Sequence, residues 1–396
     1  MPRLMTSRRE LLAGAAGLAA FGSAAARAAT APPLPAAPVS LNVIDVAGQL
    51  QLTQGAMEAY AKANPKLVSH IAFSQAPAPE LPGKIKAQQD ANRVDIDLVL
   101  TGTDGLSAGI DQKLWIPMVT DYAAALPDLK SIYLPGALKM QGLALDQGVC
   151  VVFCPAGPIL EYMPDAVKTP PKTAQELLDW TKAHKNRFIY ARPANSGPGR
   201  TFLQGLPYIL KDKDPMDPKD GWEKTWAYLA ELGKNIEYYP TGTGAVMKEL
   251  AQGSRDMIAS HLGWDLNPRV LGVVPKEAMV GTLEGFHWVT DAQYWCIPKG
   301  VSNDHLAVLL DMTKYMLSKP AQAMTYDKGY FYTGPAVKDV PLSMAPEASQ
   351  AAINEYTRPF YEKLIADVPS ETPLPADKLV YAFQRWDQQV GALVGK

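Results

Sequence analysis

The chain has 396 residues, 47% of them hydrophobic, which is enough apolar surface for a large core and for two lobes rather than one small domain. Its 38 basic and 40 acidic residues leave a formal charge of -2 spread along the sequence, so no whole-molecule field draws nucleic acid or anionic lipid, and neither is an expected partner.

The N-terminus reads Ser7-Arg8-Arg9-Glu10-Leu11-Leu12, then a small-residue apolar run from Ala13 to Ala26, then Ala26-Arg27-Ala28 as a small-x-small cleavage site. It resembles a twin-arginine export signal whose apolar part is too short and Ala/Gly-rich to anchor the chain. Residues 1–28 are therefore expected to be a removed signal peptide, residues 29–40 a flexible lead-in, and the mature protein periplasmic. Cys150, Cys154 and Cys296 are an odd number, and no His or Cys stands beside them at metal-ligand spacing. They are expected as buried free thiols.

Along the mature chain, Leu41–Val46 reads as a buried strand and Gln54–Ala63 as a helix ending before Pro65. A strand over 68–73, a helix over 81–91 and a strand over 95–100 follow, the last running into the turn Thr101–Gly105. This alternation predicts a mostly parallel sheet covered by helices. Ligands sit at the carboxyl ends of strands in such sheets, which makes Asp45, Thr103 and Asp104 candidates by position.

Gly148–Phe153 is an apolar run long enough to leave one lobe and enter another. Beyond it, Thr173-Ala174-Gln175-Glu176 is a capping box opening a helix. A strand over 188–191 leads into the Gly-rich segment 192–201 and a helix over 202–210. Helices over 222–232 and 246–252 alternate with strands over 236–239 and 256–259. The stretches 272–275 and 286–297 read as extended, the second as a return crossing. A helix over 306–317 and a last helix over 378–394 complete the chain. The lobes are expected as 41–148 with 290–340, and 149–289, with 341–396 bracing both.

Asp97-Leu98-Val99-Leu100, Leu114-Trp115-Ile116-Pro117, Pro170-Pro171-Lys172-Thr173 with Glu176-Leu177, Gly253-Ser254-Arg255-Asp256, Cys296-Ile297-Pro298-Lys299-Gly300 and Gly329–Ala336 occur in one order. In that order they resemble the extracellular solute-binding proteins of ABC importers, in the branch with polyamine, thiamine and ferric-ion binders. The resemblance covers nearly all of the mature chain. It implies a type II periplasmic-binding-protein fold: two α/β lobes, crossing strands and a central cleft. It also implies a small-molecule ligand, an ABC permease as partner, no cofactor and no catalysis. A monomer is expected.

Several residues are candidates for the ligand. Asn195, Ser196, Arg200 and Thr201 offer an amide, two hydroxyls and a guanidinium at a helix start, where an anionic group could dock. The same glycines could equally serve only the turn, with Arg200 paired to a lobe acid. Trp264 and Asp265 follow a strand, and Trp288 and Asp291 lie on the return segment. Aromatic faces beside carboxylates suit an organic cation such as a polyamine. Tyr239, Tyr330 and Tyr332 are candidates for stacking, and the pair Tyr238-Tyr239 keeps a ferric ion open; an oxyanion or amino-acid-like ligand is a further alternative. A secreted hydrolase is the competitor from another class. It lacks a Gly-x-Ser-x-Gly elbow, and five histidines show no triad pattern.

Overall fold

The computed structural model describes residues 29–392. The expected export signal lies outside them. Eleven strands are formed: β1 Val39–Asp45, β2 Val68–Gln75, β3 Leu98–Thr101, β4 Val149–Gly157, β5 Ile159–Tyr162, β6 Phe188–Ile189, β7 Met257–Ser260, β8 Met279–Gly281, β9 Trp288–Cys296, β10 Gly334–Pro335 and β11 Ser370–Glu371. They build two sheets. The larger runs β10-β4-β9-β3-β1-β2 with β11 on β9, and the smaller runs β6-β7-β5-β8.

In the larger sheet β1 is parallel to β2 and β3, as strand-helix alternation demands. β4 and β9 then pair antiparallel with each other, from Val149 opposite Trp295 to Gly157 opposite Val289. Both are buried at every position, which explains the unbroken apolar run of β4, whereas β9 carries Thr290, Asp291 and Gln293 among its apolar residues. They are the two connections between the sheets. The chain leaves through Pro158 into β5 and returns after β8. Residues 149–157, expected in the second lobe, thus belong to the larger sheet, and the crossing lies nine residues later. Each sheet has its own apolar core.

The tail joins the two cores. Tyr361 is buried in the first, whereas Leu379, Ala382, Trp386 and Val390 are buried in the second. The helix Ala376–Trp386 also packs on the helix Thr103–Asp111, so the end of the chain touches both halves.

Local chemistry sets most boundaries. Thr173 Oγ1 accepts from Glu176 N at 3.1 Å, and Glu176 reaches back to Lys172 N at 2.8 Å, which closes the expected capping box one residue wider than usual. The helix Thr103–Asp111 takes in Thr103–Gly105, which the sequence reading places in a turn. Gly109 is there for space, since a Cβ would enter the Trp115 ring. Two expected extended segments are not strands. Residues 236–239 join no ladder: Ile236 N turns back to Gly233 O at 3.1 Å, and the flanking carbonyls accept from the neighbouring segment, Asn235 O from Asn186 N at 2.9 Å and Pro240 O from Arg192 N at 2.9 Å. Residues 272–275 instead close the helix Leu262–Val270, with Val273 N donating to Pro268 O at 2.8 Å. All three cysteines are free and buried. No helix among the described residues is long and apolar enough to cross a membrane.

Candidate functional site

Between the sheets lies a cleft of about 440 Å³. One wall comes from the larger sheet's side: Val46 and Ala47 after β1, residues 77–79 after β2, and Gly102 and Asp104 after β3. The other comes from the smaller sheet's side: Asn195, Ser196, Gly197 and Arg200, then Thr241 and Thr243, then His261 and Trp264. Asp291 and Gln293 of β9 sit between them, with Tyr330 and Phe331.

Its centre is a buried ionic cluster. Arg200 Nη2 donates to Asp291 Oδ2 at 2.6 Å, and Arg200 Nη1 lies 3.4 Å from Asp104 Oδ2. Thr103 Oγ1 donates to Asp291 Oδ1 at 3.1 Å. Burial works against the Arg200 charge, but Asp291 and Asp104 outweigh it and hold its pKa above the ordinary value. Burial raises Asp104 against the pull of Arg200. One guanidinium therefore faces two carboxylates, and it ties the helix Gly197–Ile209 on the smaller sheet's side to β9 and the helix Thr103–Asp111 on the larger sheet's side.

The helix starts around the cleft differ in what they leave free. At Gly197 the cap Ser196 Oγ accepts from Gly199 N at 3.1 Å, and Pro198 has no N–H, so this end is largely spent on itself. The helix Thr243–Ala251 has no side-chain cap and opens beside Thr241 and Thr243. Aromatic surface comes from Trp264, whose ring meets Tyr330 edge-on at 5.5 Å. Two glycines permit this: a Cβ at Gly263 would strike the Tyr330 backbone, and Gly48, at a φ of +73°, receives the Tyr330 hydroxyl.

Of the fourteen residues singled out in the sequence, Asp104, Asn195, Ser196, Arg200, Trp264, Asp291 and Tyr330 line the cleft. Thr103 stands behind it, orienting Asp291. Asp45 is buried under the rim, accepting from Ala47, Gln49 and Leu50 N–H at 2.9, 3.0 and 2.9 Å; it shapes the Val46–Ala47 wall and starts the helix Leu50–Ala63. Thr201 Oγ1 turns back to Pro198 O at 3.1 Å.

Four others the structure takes away from the cleft. Asp265 points into the interior and meets Arg269, Arg358 and Tyr361. Helix geometry explains this: Trp264 and Asp265 are neighbours in sequence and so lie about 100° apart around the helix axis. Trp288 is core, its Nε1 donating to Leu364 O at 3.1 Å. Tyr239 packs between Tyr190 and Trp386 in the second core. Tyr332 belongs to the first core, with its carbonyl taken by Cys154 Sγ at 2.7 Å.

His261, Gln293, Thr241, Thr243 and Phe331 line the cleft although they are not among those fourteen. For Gln293 a signal existed, because it lies two residues after Asp291 on a strand and so shares its face. His261 carried none. Burial, helped by Arg200 and opposed by Asp291, lowers its pKa to about 4, so the imidazole is neutral near pH 7. A depressed value means stability that is present above about pH 6.5 and lost as pH falls towards 4. His261→Phe should therefore lose less stability than the parent between those limits in urea titrations; equal losses would show that His261 titrates normally.

The sequence model for the bacterial extracellular solute-binding proteins matches residues 55–354. The chain belongs to that family. Family members of this kind are the solute-binding components of ABC transporters rather than enzymes. A periplasmic thiamin binding protein superposes with a TM-score of 0.61 at 15% identity, covering 90% of this chain and 99% of that one. A structure described as an Atu4243-GABA receptor gives 0.60 at 18%, covering 89% and 96%, and a putative spermidine/putrescine ABC transporter from Listeria monocytogenes gives 0.59 at 12%, covering 88% and 99%. These identities establish the type II periplasmic-binding-protein fold and no ligand. No curated protein sequence matches the chain.

Proposed function

We propose that this solute-binding protein captures, in the periplasm, a small organic solute bearing an ammonium group, and presents the closed form to a membrane permease. The observation that carries the ligand class is the charge count of the cleft. Asp104 and Asp291 face Arg200 alone, His261 is neutral, and so the carboxylates outnumber the cations by one in the cleft that Trp264 and Tyr330 also line. A cation beside an aromatic face and a desolvated carboxylate is a favourable combination. One surplus charge suits a single ammonium group better than a polyamine, whose second nitrogen would find no carboxylate.

The ferric alternative loses its ligands in this arrangement. Tyr238 is exposed and bonded to Glu249, Tyr239 is in the core, and burial holds Tyr330 well above the ordinary phenol value. An amino-acid-like zwitterion is the second reading, supported by the uncapped helix start at Thr243, which could receive a carboxylate.

Closure follows from differential affinity, since a ligand touching both walls favours the state in which both are present. Calorimetry with primary amines, the matching amino acids and simple oxyanions should show heat for the first two classes, with small-angle scattering reporting a reduced radius on binding. Binding of oxyanions alone would overturn the ammonium assignment. Trp264→Ala should weaken amine binding about tenfold, near the value of a desolvated cation–π contact, while thermal melting stays close to the parent. Trp264 is partly exposed, which is why little stability should be lost.

A further inference from the structure

The cleft wall carries two polar side chains that the ammonium site leaves unused. His261 ends the segment after β7 and stands at the N-cap of the helix Leu262–Val270, fully buried, and neither ring nitrogen has a hydrogen-bond partner among the described residues. Gln293 is also buried, and its Oε1 is likewise without a partner. Both line the cleft, and Gln293 shares a strand face with Asp291.

The imidazole sits close to the ionic cluster. Gly197 separates them: a Cβ built there would stand 2.9 Å from His261 Nε2 and 3.3 Å from Asp291 Oδ2. The glycine thus keeps the imidazole edge and the carboxylate open to one small volume. On the other flank the Phe331 ring meets His261 edge-on at 6.1 Å and offers no acceptor.

Buried polar atoms in folded proteins are almost always paired, so two of them unpaired on the wall of one cleft mark where a ligand's polar atoms belong. A neutral imidazole presents one donor and one acceptor, and a carboxamide presents the same two functions. An ammonium group has no acceptor to offer and is drawn to the carboxylates instead. A carboxylate has no donor. The groups that answer both side chains are uncharged and do both: a hydroxyl or a primary amide.

We infer that His261 and Gln293 form a specificity subsite that reads a hydroxyl or carboxamide on the same solute whose ammonium group pairs with Asp104 and Asp291. The solute class is then the amino alcohols and amino amides. This rests on the ammonium reading above and adds to it the second functional group. It also assigns Gly197 a role, since any side chain there would fill the space between the two subsites.

The test is calorimetry on the mature chain with pentylamine, 5-aminopentan-1-ol, 5-aminopentanamide and 5-aminopentanoate. The alcohol or the amide should bind the parent about tenfold more tightly than pentylamine, and in Gln293→Leu and His261→Phe that ratio should fall to about one. A ratio near one in the parent, or a preference surviving in both variants, overturns the subsite and leaves the ammonium site standing. Tightest binding of the amino acid overturns it in favour of a zwitterion. If none of the four binds, the ammonium reading itself fails and the subsite with it. A ligand-free measurement stands beside these: Gln293→Leu replaces an amide whose buried oxygen is unpaired by an apolar group of similar size, so its melting temperature should equal or exceed the parent's. A drop of several degrees would show that the fold already satisfies Gln293 and would overturn the inference.

Discussion

Asp265→Ala should lower the stability of the protein by about 3–5 kcal/mol while leaving affinity for solute close to the parent's, because it strips a buried counter-ion and touches nothing in the cleft. Asp265 is fully buried and accepts from Arg269 Nη2 at 2.9 Å, Arg358 Nε at 2.9 Å, Arg358 Nη2 at 2.6 Å and Tyr361 Oη at 2.6 Å. Its removal leaves two nearly buried guanidiniums facing each other. A second acid lies near them, Glu161, whose carboxyl is raised to about 8 by burial first and by the charge of Asp265 second. With Asp265 gone, that repulsion goes too, and Glu161 should ionise more readily and recover part of the loss. The double variant Asp265→Ala/Glu161→Gln should therefore be less stable than the sum of its parts suggests. Urea titration reads the stability and calorimetry the affinity. Lost affinity at intact stability would put Asp265 back among the ligand contacts.

Asp291→Asn should be marked by a large loss of binding for cations. Asp291 carries the 2.6 Å bond from Arg200 and the 3.1 Å bond from Thr103, at 2% exposure, and its charge is half of what the cleft sets against the guanidinium. Neutralising it removes the surplus negative charge altogether. Affinity for an ammonium solute should fall about 100-fold, equivalent to about 3 kcal/mol and within the range measured for close desolvated charge pairs. Binding of a simple anion should improve in the same variant. Asp104→Asn should weaken cation binding less and cost little stability, since Asp104 stands at 3.4 Å and the Arg200–Asp291 pair survives it. Unchanged cation affinity in both variants would place the solute's charge elsewhere.

The two predictions separate neighbours that look alike in sequence. Trp264 and Asp265 are adjacent, both polar-capable and both just after a strand, yet one faces the cleft and the other the interior. Trp288 and Asp291 differ in the same way, three residues apart on one strand. Which side faces which is decided by where each helix or strand is docked, and residue type alone does not report it.

What the sequence determined by itself was the architecture and the rough place of the site. Strand-helix alternation from Leu41 to Leu100 dictated the parallel trio β2-β1-β3, the capping box at Thr173 a helix start, and the apolar run near 150 with the extended, aromatic stretch near 290 the two buried connections, because local propensity and burial period are properties of short segments. Asp104 was legible as a rim residue by its position after a strand, and Arg200 by its place at a helix start, for the same reason. Only the tertiary structure decided that Arg200 spends its charge on Asp104 and Asp291, 96 and 91 positions away, that Asp265 is a structural counter-ion, and that His261 and Gln293 lie unpaired on the cleft wall. Pairing and the absence of pairing are relations between distant segments. They come into being when two sheets close on each other, and no local pattern encodes them.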